Sequence, residues 1–474
     1  MKNDEDARPE PAGEFFSLAE AARAMNAELS GGDADAVFDY VGTDTRSARA
    51  GELFFCLRGD NFDGHDFIDA AIAAGVMAIV CERGRARAGS VPFLEVADTQ
   101  RALGDLAAHH RRRFAIPVVG VTGSNGKTTT KEMLRAILLA HFGQGAVLAT
   151  RGNLNNLIGV PLTLFGLRSC HRAAVVEMGM NAPGEIARLA EIAAPTIGLI
   201  TCVAEAHLEG LGSIAGVARA KGELFEGLPS DAYAIVNADD ANIATQAPRF
   251  SGRRLTFGQA GAVQARNVAC DRIDAASFDL CFQGTSARVE LPLGGRHNVH
   301  NALGAAAAAF AAGITVETAA QGLTHMQPPP MRLAAEKWQN GVTVINDVYN
   351  ANPGSLRAAL QTLGDLASRR IVVLGDMLEL GPRAAELHER AGAQAAAIDP
   401  ELLCAVGSFA GSLIDGARAA GLAAEKALVC ARHEDAAAAV AETWRTGDAI
   451  LVKGSRGAAM EKVVEALRTL AANA

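Results

Sequence analysis

With 474 residues, 49% of them hydrophobic and 20% charged, the chain is too long for one ordinary core and too apolar for a disordered protein, so two to four domains are expected. Its net charge of −9, from 44 basic and 53 acidic residues, excludes a general attraction to nucleic acid or an anionic membrane. Anionic ligands must then be held by local devices such as loops, arginines and metal. The eight cysteines are scattered without a C-x-x-C and lie mostly in apolar runs, the usage of reduced thiols in a cytoplasmic protein. The start, MKNDEDARPEPAGE, is acidic and proline-bearing and lacks the apolar core of a signal peptide, and no membrane insertion is expected.

The first block, residues 15–113, alternates strand-like pieces (Leu53–Cys56, Ala78–Val80) with helical ones (Phe67–Ala74, Arg101–Arg113). Its polar strings Asp44-Thr45-Arg46-Ser47 and Asn61-Phe62-Asp63-Gly64-His65 read, by residue type, as ordinary turns.

The second block, residues 114–328, opens on the most informative stretch of the chain. An apolar run (Val118, Val119, Val121) breaks into Gly123-Ser124-Asn125-Gly126, then Lys127, Thr128, Thr129 and Thr130, then a helical pattern. This is the grammar of a phosphate-binding loop. Glycines let backbone N–H groups turn around an anion, the helix N-terminus adds its positive end, Lys127 reaches the β/γ-phosphates and the Thr128 hydroxyl holds Mg²⁺. Five residues separate Gly120 from Gly126, one more than the common G-x-x-x-x-G-K-[ST] spacing. Further on, Ala173–Val176, Ile197–Thr201 and Ala234–Val236 are buried-strand candidates with helical stretches between them, the pattern of a mostly parallel sheet.

Three residues of this block invite chemical roles. Glu177 ends a buried strand, where a carboxylate ligates Mg²⁺ or simply meets solvent. His207 follows the next strand and is a structural histidine or a metal-site residue. Lys221 is an oddity on a helix whose apolar face should be buried, and by residue type alone it is a surface lysine or a phosphate contact. The loop Arg151–Asn156, with Asn153, Asn155 and Asn156, is a plain turn or a polar cradle. A β-richer passage (Leu255–Phe257, Ala287–Leu293) leads to Ala302–Ile314, too short to span a bilayer and read as a close-packed helix. The proline run within Gln327–Arg332 is a stiff linker.

The third block, residues 331–474, alternates strands (Val342–Ile345, Ile371–Leu374, Cys404–Val406, Leu428–Cys430, Ala449–Val452) with alanine-rich helices, a second doubly wound, Rossmann-like α/β domain. Asp347, Gly375-Asp376 and Lys453-Gly454-Ser455-Arg456 stand at strand tips, where such sheets bind ligands. Two loaded α/β domains joined by a linker suggest a cleft that closes on ATP.

Taken together, these strings resemble the Mur ligases, the ATP-dependent amide-forming enzymes of peptidoglycan synthesis. The matching pieces are DTRS at Asp44–Ser47, GDNFDGHDF at Gly59–Phe67, TGSNGKTTT at Thr122–Thr130, NLNNLIGVPLTL at Asn153–Leu164, EMGM at Glu177–Met180, HLEGLGSIAGVARAKGELF at His207–Phe225, GRHNVHN at Gly295–Asn301, DVYNANP at Asp347–Pro353, GDMLELG at Gly375–Gly381 and KGSR at Lys453–Arg456. Val348 is a departure, since a small or polar residue is more usual there.

The resemblance implies three domains: a UDP-muramoyl-binding N-terminal one, a central ATP-binding one and a C-terminal ligase domain. NLNN, the KGE after HLEG, YNANP and GDMLELG point within the family to addition of D-alanyl-D-alanine to UDP-MurNAc-tripeptide through an acyl phosphate, in a monomer. By motif, Gly123, Ser124, Asn125, Gly126, Lys127, Thr128, Thr129, Asn298, Asn301, Arg332, Asp347, Tyr349, Asn350 and Asn352 would contact ATP. Thr128, Glu177, His207 and Lys221 would serve two Mg²⁺ ions, with Lys221 as an N-carboxylysine, and Lys127, His207 and Lys221 would be catalytic. Ser47, Asn61 and His65, then Asn153, Asn155 and Asn156, then Asp376, Lys453, Ser455 and Arg456 would meet the muropeptide or the dipeptide. A folylpolyglutamate synthase-like ligase would place its phosphate loop near the N-terminus, a ligase adding one amino acid would lack YNANP and GDMLELG, and an NTPase switch would turn over ATP without an amine.

Overall fold

Buried apolar runs become the middle strands of parallel sheets, and this places every strand tip named above. The computed structural model describes residues 16–59, 61–87, 89, 91–366 and 368–472. The acidic start, the limits expected at Phe15 and Ala474, and Asp60 of the first block lie outside the described residues.

The first sheet comprises β1 (Glu28–Ser30), β2 (Tyr40–Gly42), β3 (Glu52–Phe55), β4 (Ala78–Glu82) and β5 (Phe93–Val96), in the order β1-β5-β4-β3-β2, with only β1 antiparallel. The sequence marks β3 and β4 because they are continuously apolar. It does not mark β1 and β2, which are three residues long and only partly covered.

The central sheet holds β6 (Val118–Thr122), β7 (Val147–Ala149), β8 (Ala173–Glu177), β9 (Ile197–Ile200), β10 (Tyr233–Asn237) and β11 (Arg253–Phe257), all parallel in the order β11-β10-β9-β6-β8-β7. Successive side chains of these strands feed opposite cores. Val118, Ala174 and Val176 join one cluster, while Val119, Val121, Ala173 and Val175 join the other. Both faces are therefore covered, as an all-parallel sheet requires.

The second cluster is completed by an antiparallel sheet of β12 (Gln264–Ala269), β13 (Ala276–Phe282) and β14 (Thr285–Leu291) and by the helix Arg296–Ala311. That helix begins before the expected Ala302, and its Ala305–Ala309 stretch is fully buried. Alanine suits it because the helix packs tightly all round; its extra first turns carry His297, Asn298 and Asn301.

The linker Gln327–Arg332 has no helix or strand, and it is followed by β15 (Ala334–Lys337), β16 (Thr343–Asp347), β17 (Arg370–Gly375), β18 (Leu402–Val406), β19 (Ala427–Cys430) and β20 (Ala449–Lys453). Their order is β15-β16-β20-β17-β18-β19, parallel except for the edge strand β15. Among the described residues no helix is long and apolar enough to cross a membrane.

Candidate active site

β6 delivers the chain into the turn Gly123–Gly126, and the helix Lys127–Phe142 starts at once with no side chain capping it, so its first N–H groups stay open to an anion. Two glycines are required by shape. Gly126 has φ 81°, and a β-carbon there would stand 2.3 Å from Asn301 Oδ1; at Gly123, with φ 152°, it would stand 1.9 Å from Thr201 Oγ1. The turn is tied to the tip of β9: Ser124 N donates to the Cys202 carbonyl (2.8 Å), and Thr201 Oγ1 donates to the Asn125 carbonyl (2.5 Å). The cradle is thus built before any ligand arrives.

Lys127 Nζ donates to the Gly123 carbonyl at 2.7 Å. Burial lowers its pKa, partly countered by Glu177, while the Arg332 charge adds to the lowering. Thr128 Oγ1 donates to Glu177 Oε2 (2.9 Å), and Asn155 Nδ2 donates to Glu177 Oε1 (2.9 Å). Glu177 is thus a buried carboxylate at the tip of β8, held from both sides.

Across the linker, the third domain reaches the same spot. Arg332 Nη2 donates to Thr128 Oγ1 (2.9 Å) while its guanidinium lies 4.2 Å from the centre of the Tyr349 ring. Asn352 caps the helix Pro353–Gly364 and also donates to Asn125 Oδ1 at 2.7 Å. These contacts frame a cleft of about 1240 Å³ between the central and third domains.

Most of the expected site residues line this cleft: Ser124, Asn125, Gly126, Lys127, Thr128, Thr129, Asn153, Asn155, Asn156, Glu177, His207, Asn298, Asn301, Arg332, Asp347, Tyr349, Asn350, Asn352, Lys453 and Arg456. His207 meets a third-domain acid there, its Nδ1 2.8 Å from Glu379 Oε2. Lys221 sits just behind the lining, on the buried face of the helix Ile214–Glu226 and 1% exposed. No acid among the described residues pairs with it; burial, then the Lys127 charge, hold its amine well below the ordinary lysine pKa.

Several expected ligand contacts turn out to be occupied by the fold itself. His65 is 2% exposed; its Nδ1 faces Asp63 Oδ1 at 2.5 Å and its Nε2 accepts from Glu82 N, so the ring pins its own turn to β4. Asp376 accepts from Ser408 N (2.8 Å) and Phe409 N (3.0 Å). The Ser455 hydroxyl donates to the Ala351 carbonyl and accepts from Leu378 N. Lys453 pairs with Asp347 at 2.6 Å. Strand-tip polarity in the third domain is thus largely spent on its own turns. Ser47 is exposed and donates to the Asp44 carbonyl, and Asn61 is exposed; both belong to the first domain, away from the cleft lining.

Sequence reasoning did not single out Arg58, Gln100, His297, Arg357 and Glu379, all of which line the cleft. For Glu379 and His297 a signal existed, their places in GDMLELG and GRHNVHN; for the others only the fold brings them in.

The donor set fits Mg²⁺ at Thr128 and Glu177. A hydroxyl and a buried carboxylate oxygen within 2.9 Å form the protein half of a site whose other ligands come from phosphate and water. Among the described residues, no three His, Cys, Asp or Glu side chains gather as a closed metal cage.

Three family models match the chain: the Mur ligase family, catalytic domain over residues 37–111, the Mur ligase middle domain over 121–309, and the Mur ligase, glutamate ligase domain over 331–456. The UDP-N-acetylmuramoyl-tripeptide–D-alanyl-D-alanine ligase of Escherichia coli strain K12 is 39% identical over 455 residues, covering 95% of this chain and 98% of that one. A crystal structure of MurF from Acinetobacter baumannii superposes with a TM-score of 0.89 at 34% identity, covering 96% and 99%. The MurF ligase of Thermotoga maritima, solved in complex with ADP, gives 0.82 at 27% identity over 92% and 98%.

Proposed function

The chain belongs to the Mur ligase family, and on that premise we propose that it joins D-alanyl-D-alanine to UDP-N-acetylmuramoyl-tripeptide at the expense of ATP, giving the pentapeptide precursor, ADP and phosphate. The observation that carries this reading is the meeting of the phosphate loop, the Thr128–Glu177 pair and the third-domain residues Arg332 and Asn352 on one cleft. A simple NTPase switch has no need of so large a cavity beside its phosphate loop.

A carboxylate is a poor electrophile, so the terminal carboxylate of the tripeptide first attacks the γ-phosphorus and ADP departs, leaving an acyl phosphate. The dipeptide amine then attacks the carbonyl carbon, and the tetrahedral intermediate expels phosphate. Two anions must meet in the first step. Lys127, the open N–H groups of its helix and Arg332 provide the positive field that lets them approach. Asn153, Asn155 and Asn156 orient the muropeptide, Asn298 and Asn301 the nucleotide, and Tyr349 with Asn350 the adenosine from the third domain. Ser47 and Asn61 belong to the nucleotide end of the muropeptide.

When bound, Mg²⁺ neutralises charge between the phosphates and the attacking carboxylate, with Thr128 and Glu177 holding one ion and His207 serving a second. Lys221 suits the carbamate role because burial, with no acid partner among the described residues, lowers its pKa and so favours the neutral amine, the form that adds CO₂ and releases a proton. Residues 15–113, 114–328 and 331–474 are the proposed domains of a cytoplasmic monomer.

The test is phosphate release by the purified protein with each substrate omitted in turn, followed by the mass of the product. Release must require both the muropeptide and D-alanyl-D-alanine, and the product must be heavier than the tripeptide substrate by one dipeptide less water. Undiminished release without either substrate overturns the reading.

A further inference from the structure

The motif GDMLELG has no role in the chemistry so far, yet the turn it forms is unusually well held. Glu379 sits in the left-handed region at φ 61°, a conformation unfavourable for a residue with a β-carbon that persists only where its surroundings impose it. They do so here. Met377 N donates to His388 Nε2 and Leu378 N to Ser455 Oγ, both at 2.9 Å. Ser455 N donates to the Asp376 carbonyl, and the Asp376 carboxylate is fixed by Ser408 N and Phe409 N. The side chains of Asp376 and Ser455 thus aim one residue.

That residue is an acid pointed out of its own domain. Its carboxylate lies 2.8 Å from His207 Nδ1, and His207 is itself left-handed at φ 53°. Two strained residues therefore face each other across the domain boundary. The other acids of the cleft are already engaged: Glu177 by Thr128 and Asn155, Asp347 by Lys453, Glu185 by Asn181 N, Asp239 by Gln259 N and Asp240 by the N-terminus of the helix Ala241–Gln246. Glu379 remains half-exposed, with a histidine as its one close partner.

We propose that Glu379 is the residue that receives the ammonium of the incoming dipeptide and holds that nitrogen beside the activated carboxyl group, His207 giving up its contact as the amine arrives. The proposal rests on the ligase reading above. The cleft already brings together cations for two anionic substrates, and the third substrate is the one that enters with a positive end. A carboxylate on the third domain, carried to the edge of the phosphate site by docking, is the complementary group. Asp376 and Ser455 are positioning residues that act through it.

Glu379→Gln separates this role from the others. The muropeptide and ATP with hydroxylamine, a largely uncharged nucleophile at neutral pH, report activation alone as an acyl hydroxamate. The variant is expected to keep hydroxamate formation while its KM for D-alanyl-D-alanine rises roughly 10- to 100-fold, the loss of one charge-assisted hydrogen bond. Ser455→Ala should shift the same KM in the same direction by less. Equal loss of hydroxamate and dipeptide ligation overturns the proposal, as does an unchanged KM for the dipeptide. If the unaltered protein forms no hydroxamate, the ligase reading fails instead.

Discussion

Lys221 and Lys453 are buried almost equally, at 1% and 2% exposure, and they live in opposite company. At the tip of β20, Lys453 donates to Asp347 at 2.6 Å and to the Asn350 carbonyl at 3.0 Å, closing the third-domain end of the linker. Behind the phosphate loop, Lys221 has no acid partner among the described residues, and the Lys127 charge further lowers its pKa. A folded chain can place a lysine in its interior either by pairing it or by burying it unpaired with a lowered pKa. A paired lysine holds the fold together; on the proposed function, the unpaired one is a group kept for chemistry.

Lys127 is a third case, a cation of the phosphate loop whose Nζ donates to the Gly123 carbonyl. Lys127→Ala is expected to lower the ligation rate by about 10³-fold with unchanged circular dichroism, because it removes a preorganised charge from the phosphate site and no core contact. Loss of the fold would show that it is scaffold after all. Lys453→Met should leave Asp347 buried without its cation and cost about 3 kcal/mol in denaturant unfolding. A midpoint that does not move would remove Lys453 from the scaffold class.

Lys221→Met should do the reverse, gaining about 2 kcal/mol of stability while losing ligation. The sign follows from protons. With its pKa lowered in the folded state, Lys221 binds fewer protons there than in the unfolded chain, so the wild type gains stability as pH rises towards the ordinary lysine value of 10.5. The advantage of the methionine variant, measured in CO₂-free buffer, therefore shrinks as pH rises, and an advantage that grows would refute the unpaired-lysine argument. Lys221→Ala should recover ligation with added short carboxylates if a carbamate is the working group. The smallest effect is at the rim, where Asn352→Ala removes a helix cap and one contact between domains and should cost about 1 kcal/mol.

The same contrast explains what could be read in advance. β6, β8 and β9 are legible because a strand covered on both faces must be apolar throughout, and the phosphate loop because glycine is the residue that fits at positions 123 and 126. β1 and β2, short and half-covered, carry no such pattern. His65 illustrates a different limit. A histidine in a polar turn looks the same in sequence whether it awaits a ligand or, as here, spends both ring nitrogens on Asp63 and Glu82. Asp376 and Ser455 likewise spend hydrogen bonds on their own turns, which their residue types do not announce.

The amino-acid order alone decided which segments are strands buried on both faces, where the triphosphate-shaped turn lies and that a second α/β unit follows a stiff proline linker. Those features depend on residues adjacent in the chain, through side-chain periodicity and backbone freedom. Only the folded molecule decided that Arg332 meets Thr128 across 204 positions, that Glu379 faces His207, and which of two buried lysines has a partner. Pairing and desolvation are set by distance in space, and distance in space is what a linear string leaves open.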